Sequence, residues 1–162
     1  MKNVLITITA IFVLFSINSL SVNAMERQVK IEQNVQIEYL EDGSYFITEI
    51  QEITKASKFS TLSSSLTKSK TSTYYDSKGK AAWSVTVTGT FTYGNGTSKC
   101  ISSSVSAQSY NNSVWVIASS SSSKSGNIAY ATASADQFLS GQYLQTITRT
   151  VSLTFNSNGQ VS

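Results

Sequence analysis

The chain has no histidine and no proline, one cysteine, and a charged side chain at only 13% of its 162 positions. Each shortage excludes something. Without imidazole there is no Ser-His-Asp or Cys-His catalysis, and most zinc and copper sites lose their usual ligand. A lone thiol, Cys100, cannot close an internal disulfide, so stability has to come from strand pairing and packing. The same thiol has no imidazole to activate it as a nucleophile. The lack of proline removes the Pro-containing sorting motifs used for covalent attachment to a cell wall.

Carboxylates are scarce beyond residue 54, where Asp76 and Asp136 stand alone. Glycoside hydrolysis needs two carboxyl groups held about 5–9 Å apart, and this distribution does not favour such a pair. Neither Asp42-Gly43 nor Asp76-Ser77-Lys78-Gly79 has the spaced oxygen ligands of a calcium loop. No glycine-rich phosphate loop is present. These exclusions lead us to expect a protein that is not an enzyme and needs no cofactor or metal.

One apolar run exists, and it is short. Val4 to Phe15 follows Lys2 and is followed by a polar stretch ending in Val22-Asn23-Ala24, which is the tripartite pattern of a secretory signal. Twelve residues of helix span about 18 Å, against the roughly 30 Å of a bilayer core. Residues 1–24 therefore read as a helical signal peptide that is removed, with no membrane span after cleavage. No cysteine adjoins the cleavage site, which argues against lipid anchoring. The expected destination is extracellular, either free or held non-covalently at the cell envelope.

What the chain does have is serine, threonine, valine and aromatic residues, which suit pleated and half-buried surfaces. Val29, Ile31, Val35, Ile37 and Tyr39 alternate with Lys30, Glu32, Gln36 and Glu38, a two-residue period that predicts a strand. Glu41-Asp42-Gly43-Ser44 predicts a turn, and Tyr45 to Ile50 the return strand of a hairpin. The carboxylates of this hairpin read as a solvated face. Phe59, Leu62 and Leu66 fall at helical spacing in a Ser/Thr-rich run too short for a helix, so the run reads as a connection.

Lys68 to Asp76 predicts a third strand. Trp83, Val85, Val87, Phe91 and Tyr93 then share one face, and Ser84, Thr86, Thr88, Thr90 and Thr92 the other. Gly89 interrupts the apolar face, which suggests a bulge or room for an aromatic ring. Asn95-Gly96 is a strong hairpin signal, with Ser98 to Gln108 as the partner strand. Val114 to Ile117 suits a buried central strand, and the serines at 119–123 are either a loop or its polar continuation. Ala129, Ala131, Ala133 and Ala135 form a small-residue row that allows close approach by another sheet or a large ring. In the last strand, Tyr143 to Phe155, Arg149 falls among core positions, which calls for an edge strand, a bulge or a salt bridge.

About eight short strands separated by turns predict an all-β fold, an antiparallel two-sheet sandwich, Ig-like or related. The organisation expected is signal peptide 1–24, hairpin and connection 25–67, and main sandwich region 68–162, the last two forming one domain. Seven acidic residues lie between Met25 and Thr54, and seven lysines between Lys55 and Lys99. The two segments either face each other or leave a basic face for an anionic partner. The candidate binding surface is Lys68, Lys70, Tyr74, Tyr75, Lys78 and Lys80. Tyr74 and Tyr75 are adjacent, so on a strand one points inward and the other outward.

The run Lys70-Thr71, Tyr75 to Tyr93 (YDSKGKAAWSVTVTGTFTY), Cys100, Ser125-Gly126-Asn127, Val151 to Thr154 and Gly159 resembles a group of small secreted Thr/Ser-rich β proteins of Gram-positive bacteria. That resemblance brings no activity with it. Members of the group often carry a second cysteine near the end of the last strand, where Phe155 stands here. The resemblance thus implies a lost bridge and a buried Cys100 thiol facing Phe155. The function expected is that of a secreted binding protein for an anionic cell-wall polymer, a glycan or a protein, with no nucleic-acid role. The alternative is a secreted antagonist, either an antibacterial toxin or a protein inhibitor. Oligomeric state is left open.

Overall fold

A computed structural model describes residues 35–51, 57–58 and 64–161. The signal segment, the Val29–Ile31 end of the first predicted strand, and Phe59 and Leu62 lie outside the described residues. Within them the elements are β1 (Val35–Tyr39), β2 (Tyr45–Gln51), β3 (Ser57–Lys58), β4 (Ser64–Tyr75), β5 (Ala81–Gly94), β6 (Thr97–Ser109), β7 (Trp115–Ser125), β8 (Ile128–Leu139) and β9 (Gln142–Thr154), with no helix. They build two antiparallel sheets, one in the order β1-β2-β4-β5-β6 and one in the order β7-β8-β9. Strand β3 pairs with β4 beyond the end of β2 and occupies the same edge, so nine strands fill eight positions. This is the two-sheet sandwich that the alternation predicts. Successive positions are neighbours throughout the described residues, so the connectivity is a meander without a Greek-key return.

Alternation explains the core. On β5 the odd-numbered residues Trp83, Val85, Val87 and Phe91 are fully buried. Across the sandwich β8 answers with Ala129, Ala131, Ala133 and Ala135, also fully buried. Small alanines opposite large rings let the layers approach, and each buried valine or phenylalanine contributes about 1.5–3 kcal/mol. Gly89 is the tightest point. A Cβ there would lie 2.5 Å from Cζ of Phe91 and 2.9 Å from Cβ of Ala129. The Phe91 ring lies over the glycine and stacks on Phe155 with centroids 4.9 Å apart. The sequence left a bulge or a ring as alternatives at this position. The ring is the one that applies: Gly89 pairs in register with Ser103, and the shift between Thr90 and Phe91 leaves Ile101 of β6, not Gly89, unpaired.

The hydroxyl-rich sides of the strands pair with each other. The Oγ1 atoms of Thr67 and Thr90 are 3.0 Å apart, Ser69 and Thr88 2.7 Å, and Thr71 and Thr86 2.8 Å. In the smaller sheet Thr132 and Thr150, and Ser134 and Thr148, repeat the motif at 2.8 Å. Cross-strand pairs of this kind stabilise a sheet by a few tenths to about 1 kcal/mol each. They give the serine and threonine content a structural role.

Two strand assignments need correction. The Val114–Ile117 stretch does not form a central strand, because β7 is an edge of the smaller sheet, with Trp115 buried and Val116 exposed. An apolar run has no period that separates edge from centre, and the serines settle the matter. Ser119 to Ser125 continue β7 as an exposed polar strand, which a central position could not accommodate. Serine side chains also join β7 to the rim of the larger sheet. Ser109 Oγ donates to the Trp115 carbonyl at 2.8 Å and Ser122 Oγ to the Ser103 carbonyl at 3.3 Å.

The second correction concerns β1. Its polar residues Gln36 and Glu38 pair with Thr48 and Phe46, the inward-facing positions of β2. Its apolar row Val35, Ile37 and Tyr39 faces outward, at 48%, 49% and 69% exposure. Both sides of β1 are exposed: the carboxylate side, turned toward β9, remains solvated, with Glu38 49% exposed, and the apolar row is solvated as well.

Arg149 accounts for the direction in which Glu38 turns. It lies on β9, an edge strand, and reaches across to the larger sheet. Its Nε donates to Ser72 Oγ at 3.1 Å, its Nη1 contacts Glu38 Oε2 at 2.7 Å, and its guanidinium sits 4.4 Å from the centre of the Phe46 ring. An edge strand and a salt bridge both answer the charge among core positions. Replacing Arg149 with methionine is expected to lower the unfolding free energy by about 2 kcal/mol, through the lost charged hydrogen bonds and ring contact. Glu38→Gln should cost less than about 1 kcal/mol, because that carboxylate is half exposed. Urea titrations of both variants check the order, and equal losses would mean that the ion pair alone holds this rim.

Cys100 is a buried free thiol. It lies opposite Phe91 on β5, and Phe91 stacks on Phe155, so the thiol and Phe155 share one aromatic cluster through Phe91. Burial pushes the thiol above its ordinary value, with Lys124 opposing. The protonated, unreactive form is favoured.

Candidate functional site

The six residues singled out from the sequence do not form one surface. Strand β4 runs antiparallel between β2 and β5 and alternates strictly. Its even-numbered residues face the interior. Tyr74 is 2% exposed and packs among Phe46, Trp83 and Trp115. Lys68, at 6% exposure, is buried on the same side. Neither can belong to an open binding face. Lys70 is half-buried between the sheets, where burial and the Arg149 charge push its ammonium below the ordinary lysine value. Lys78 and Lys80 are exposed in the β4–β5 turn, whose shape is set by Asp76 Oδ1 accepting from their backbone amides at 3.0 and 2.9 Å.

Tyr75 is the one tyrosine of the adjacent pair that faces outward, and it has company. It pairs across the ladder with Tyr45, which pairs with Tyr39. The Tyr45 and Tyr75 rings stack 5.1 Å apart within 5° of parallel, and Tyr39 tilts against Tyr45 at 5.5 Å. Rings stacked at the strand spacing stand on edge, so their faces contact each other and their edges and hydroxyls meet solvent. Tyr110 continues the group from beyond β6. Its hydroxyl lies 3.0 Å from Ser84 Oγ, and it is near enough to Tyr75 to influence that phenol. Burial raises the Tyr75 phenol first, with Glu49, Tyr45 and Tyr110 adding to the effect.

One row further along the same face, Ile37 stands opposite Ile47 and Val35 opposite Glu49. The outer surface of β1, β2 and β4 therefore holds an aliphatic group beside a row of tyrosines. Lys78 and Lys80 border it at the turn, where a Cβ on Gly79 would lie 3.5 Å from the Tyr45 hydroxyl. Valine, isoleucine and tyrosine of one strand are thus exposed together, and contiguous exposed apolar groups are the usual composition of contact surfaces. The patch also carries Glu49, opposite Val35, and is bordered by the two turn lysines.

Of the residues on this patch, sequence reasoning singled out Tyr75 and the two turn lysines. It missed Tyr39, Tyr45, Ile37 and Ile47. A signal was present, since the Glu41–Ser44 turn fixes Tyr39 opposite Tyr45. The partner that Glu38 meets on the other side of the hairpin, Arg149, is more than a hundred residues away. Searches of protein-family models, of curated proteins and of solved structures find nothing that matches this chain.

Proposed function

We propose that this is a secreted, non-enzymatic binding protein of the cell envelope or its surroundings, and that its target is a protein docked on the outer face of β1, β2 and β4. The observation that supports this reading is the apolar row of β1, with Val35, Ile37 and Tyr39 exposed on the side away from β9, while Gln36 and Glu38, also exposed, lie on the side toward it. Aliphatic side chains with tyrosine in one patch and a lysine border match the make-up of protein interfaces, where tyrosine is enriched and charge is pushed to the rim. A glycan would need open aromatic faces, and here the Tyr45 and Tyr75 faces cover one another. Secretion follows from the leader-like pattern of residues 1–24.

Lys78 and Lys80 beside Tyr75 favour a second reading, contact with an anionic wall polymer. One experiment separates the two. The immobilised protein and an Ile37→Asp variant are each offered an envelope protein extract and purified wall polysaccharide. A protein retained by the parent chain and lost by the variant is the result expected. Retention of polysaccharide that ignores Ile37 and disappears in Lys78→Gln/Lys80→Gln would replace the first reading with the second.

A further inference from the structure

On the inner side of the same strands lies a polar pocket of about 170 Å³ between the rims of the two sheets. It is lined by Gln36 of β1, Thr48 of β2, Lys70 of β4 and Arg149 to Ser152 of β9. Two cations, Lys70 and Arg149, converge on it. Glu38 answers one of them, on Arg149 Nη1 at 2.7 Å, and among the described residues no carboxylate pairs with Lys70. The pocket thus carries an excess positive charge at a half-buried place, where like charges repel more strongly than in water. Burial first, and the Arg149 charge second, push the Lys70 ammonium below its ordinary value.

The other lining groups are hydrogen-bonding ones. Gln36 offers an amide and Thr48 a hydroxyl. Strand β9, an edge of its sheet, contributes the Arg149–Ser152 stretch to the lining. Donors arriving from several strands suit a tetrahedral oxyanion, which accepts from many directions, better than a planar carboxylate, which prefers a fork.

We infer that the inter-sheet pocket formed by Gln36, Thr48, Lys70 and Arg149 binds a phosphate group. The site lies on the opposite side of the sheet from the docking face and does not depend on it. The group can come from free inorganic phosphate or from a phosphodiester polymer, and the two sources are separable.

The test is calorimetric titration of the whole secreted chain with inorganic phosphate and, separately, with a glycerol-phosphate oligomer, at constant ionic strength set by chloride. Saturable binding of inorganic phosphate that weakens at least tenfold in Lys70→Gln and is unchanged in Lys78→Gln is the expected result. Tighter binding of the oligomer than of free phosphate, with the same dependence on Lys70, would identify the polymer as the source. Equal or weaker oligomer binding would identify the free ion. Thermal unfolding gives a second readout. Phosphate should raise the melting temperature of the parent chain and leave that of Lys70→Gln unmoved, and the variant alone should melt no lower than the parent, because a like-charge contact is gone. No saturable binding, or binding and thermal shifts that ignore Lys70, would overturn the inference.

Discussion

Replacing Gly89 with valine is expected to destabilise the fold by about 3–5 kcal/mol, a large part of the roughly 5–15 kcal/mol available to a domain of this size. Two effects oppose each other at this position. A glycine inside a strand costs about 0.5–1 kcal/mol in chain entropy relative to alanine, so any side chain starts with a small gain. Against that, the first carbon added would sit 2.5 and 2.6 Å from the Phe91 ring and 2.9 Å from Ala129. The ring cannot swing away, because it is stacked on Phe155, nor can Ala129 retreat, because it is fully buried on the facing sheet. Overlap wins. Gly89→Ala should cost about 1–3 kcal/mol and valine more. Shortening the ring in a Gly89→Ala/Phe91→Leu double variant should cost less than the sum of the single changes, as neighbours that share one space do not add. Urea unfolding followed by tryptophan fluorescence measures all four proteins. A valine variant within about 0.5 kcal/mol of the parent would show that the two sheets are not in contact over Gly89.

Ile37→Asp should have the opposite profile, leaving stability within about 0.5 kcal/mol of the parent while weakening capture of the protein partner by roughly thirtyfold. Ile37 is half exposed on an edge strand, so the folded chain loses little when it becomes polar. At the centre of an interface, an apolar anchor changed to a carboxylate loses its own burial and leaves a charge to be desolvated. Hot-spot changes of this kind cost about 2 kcal/mol or more, which is the stated factor at 1.4 kcal/mol per tenfold. Tyr39→Ala should act in the same direction and more weakly, since Tyr45 still covers one side of its place. Surface plasmon resonance with the captured partner, beside thermal melts, gives both quantities. Loss of binding that tracks loss of stability would remove the distinction on which the prediction depends.

The contrast between these two positions shows what the sequence made legible. The core strand β5 could be read from its own residues because five apolar side chains alternate with five hydroxyl-bearing ones, and the glycine among them is conspicuous. The hairpin β1–β2 could be read as a hairpin from its period and its turn, but not for its orientation. A two-residue period assigns residues to two faces and does not say which face is inside. The rule that the apolar face is buried fails for β1, which is exposed on both sides: Glu38 pairs with Arg149 on the side toward β9, and Ile37 and Tyr39 are left on the other. Arg149 was conspicuous as a charge among core positions, yet nothing local named its partner. For the same reason the proposed lysine and tyrosine surface was only partly assembled. Alternation on β4 sends Lys68, Lys70 and Tyr74 inward and leaves Tyr75 with the turn lysines outside.

The proposed docking face is tested most directly by placing a photocrosslinking amino acid at position 37, at Thr88 in the hydroxyl rows of the same sheet, and at Tyr143 on the other sheet. The three proteins are then irradiated on envelope material. Crosslinks to one protein from position 37, with none from the other two, are the predicted result. Crosslinks of equal yield from all three positions, or from Tyr143 alone, would contradict it.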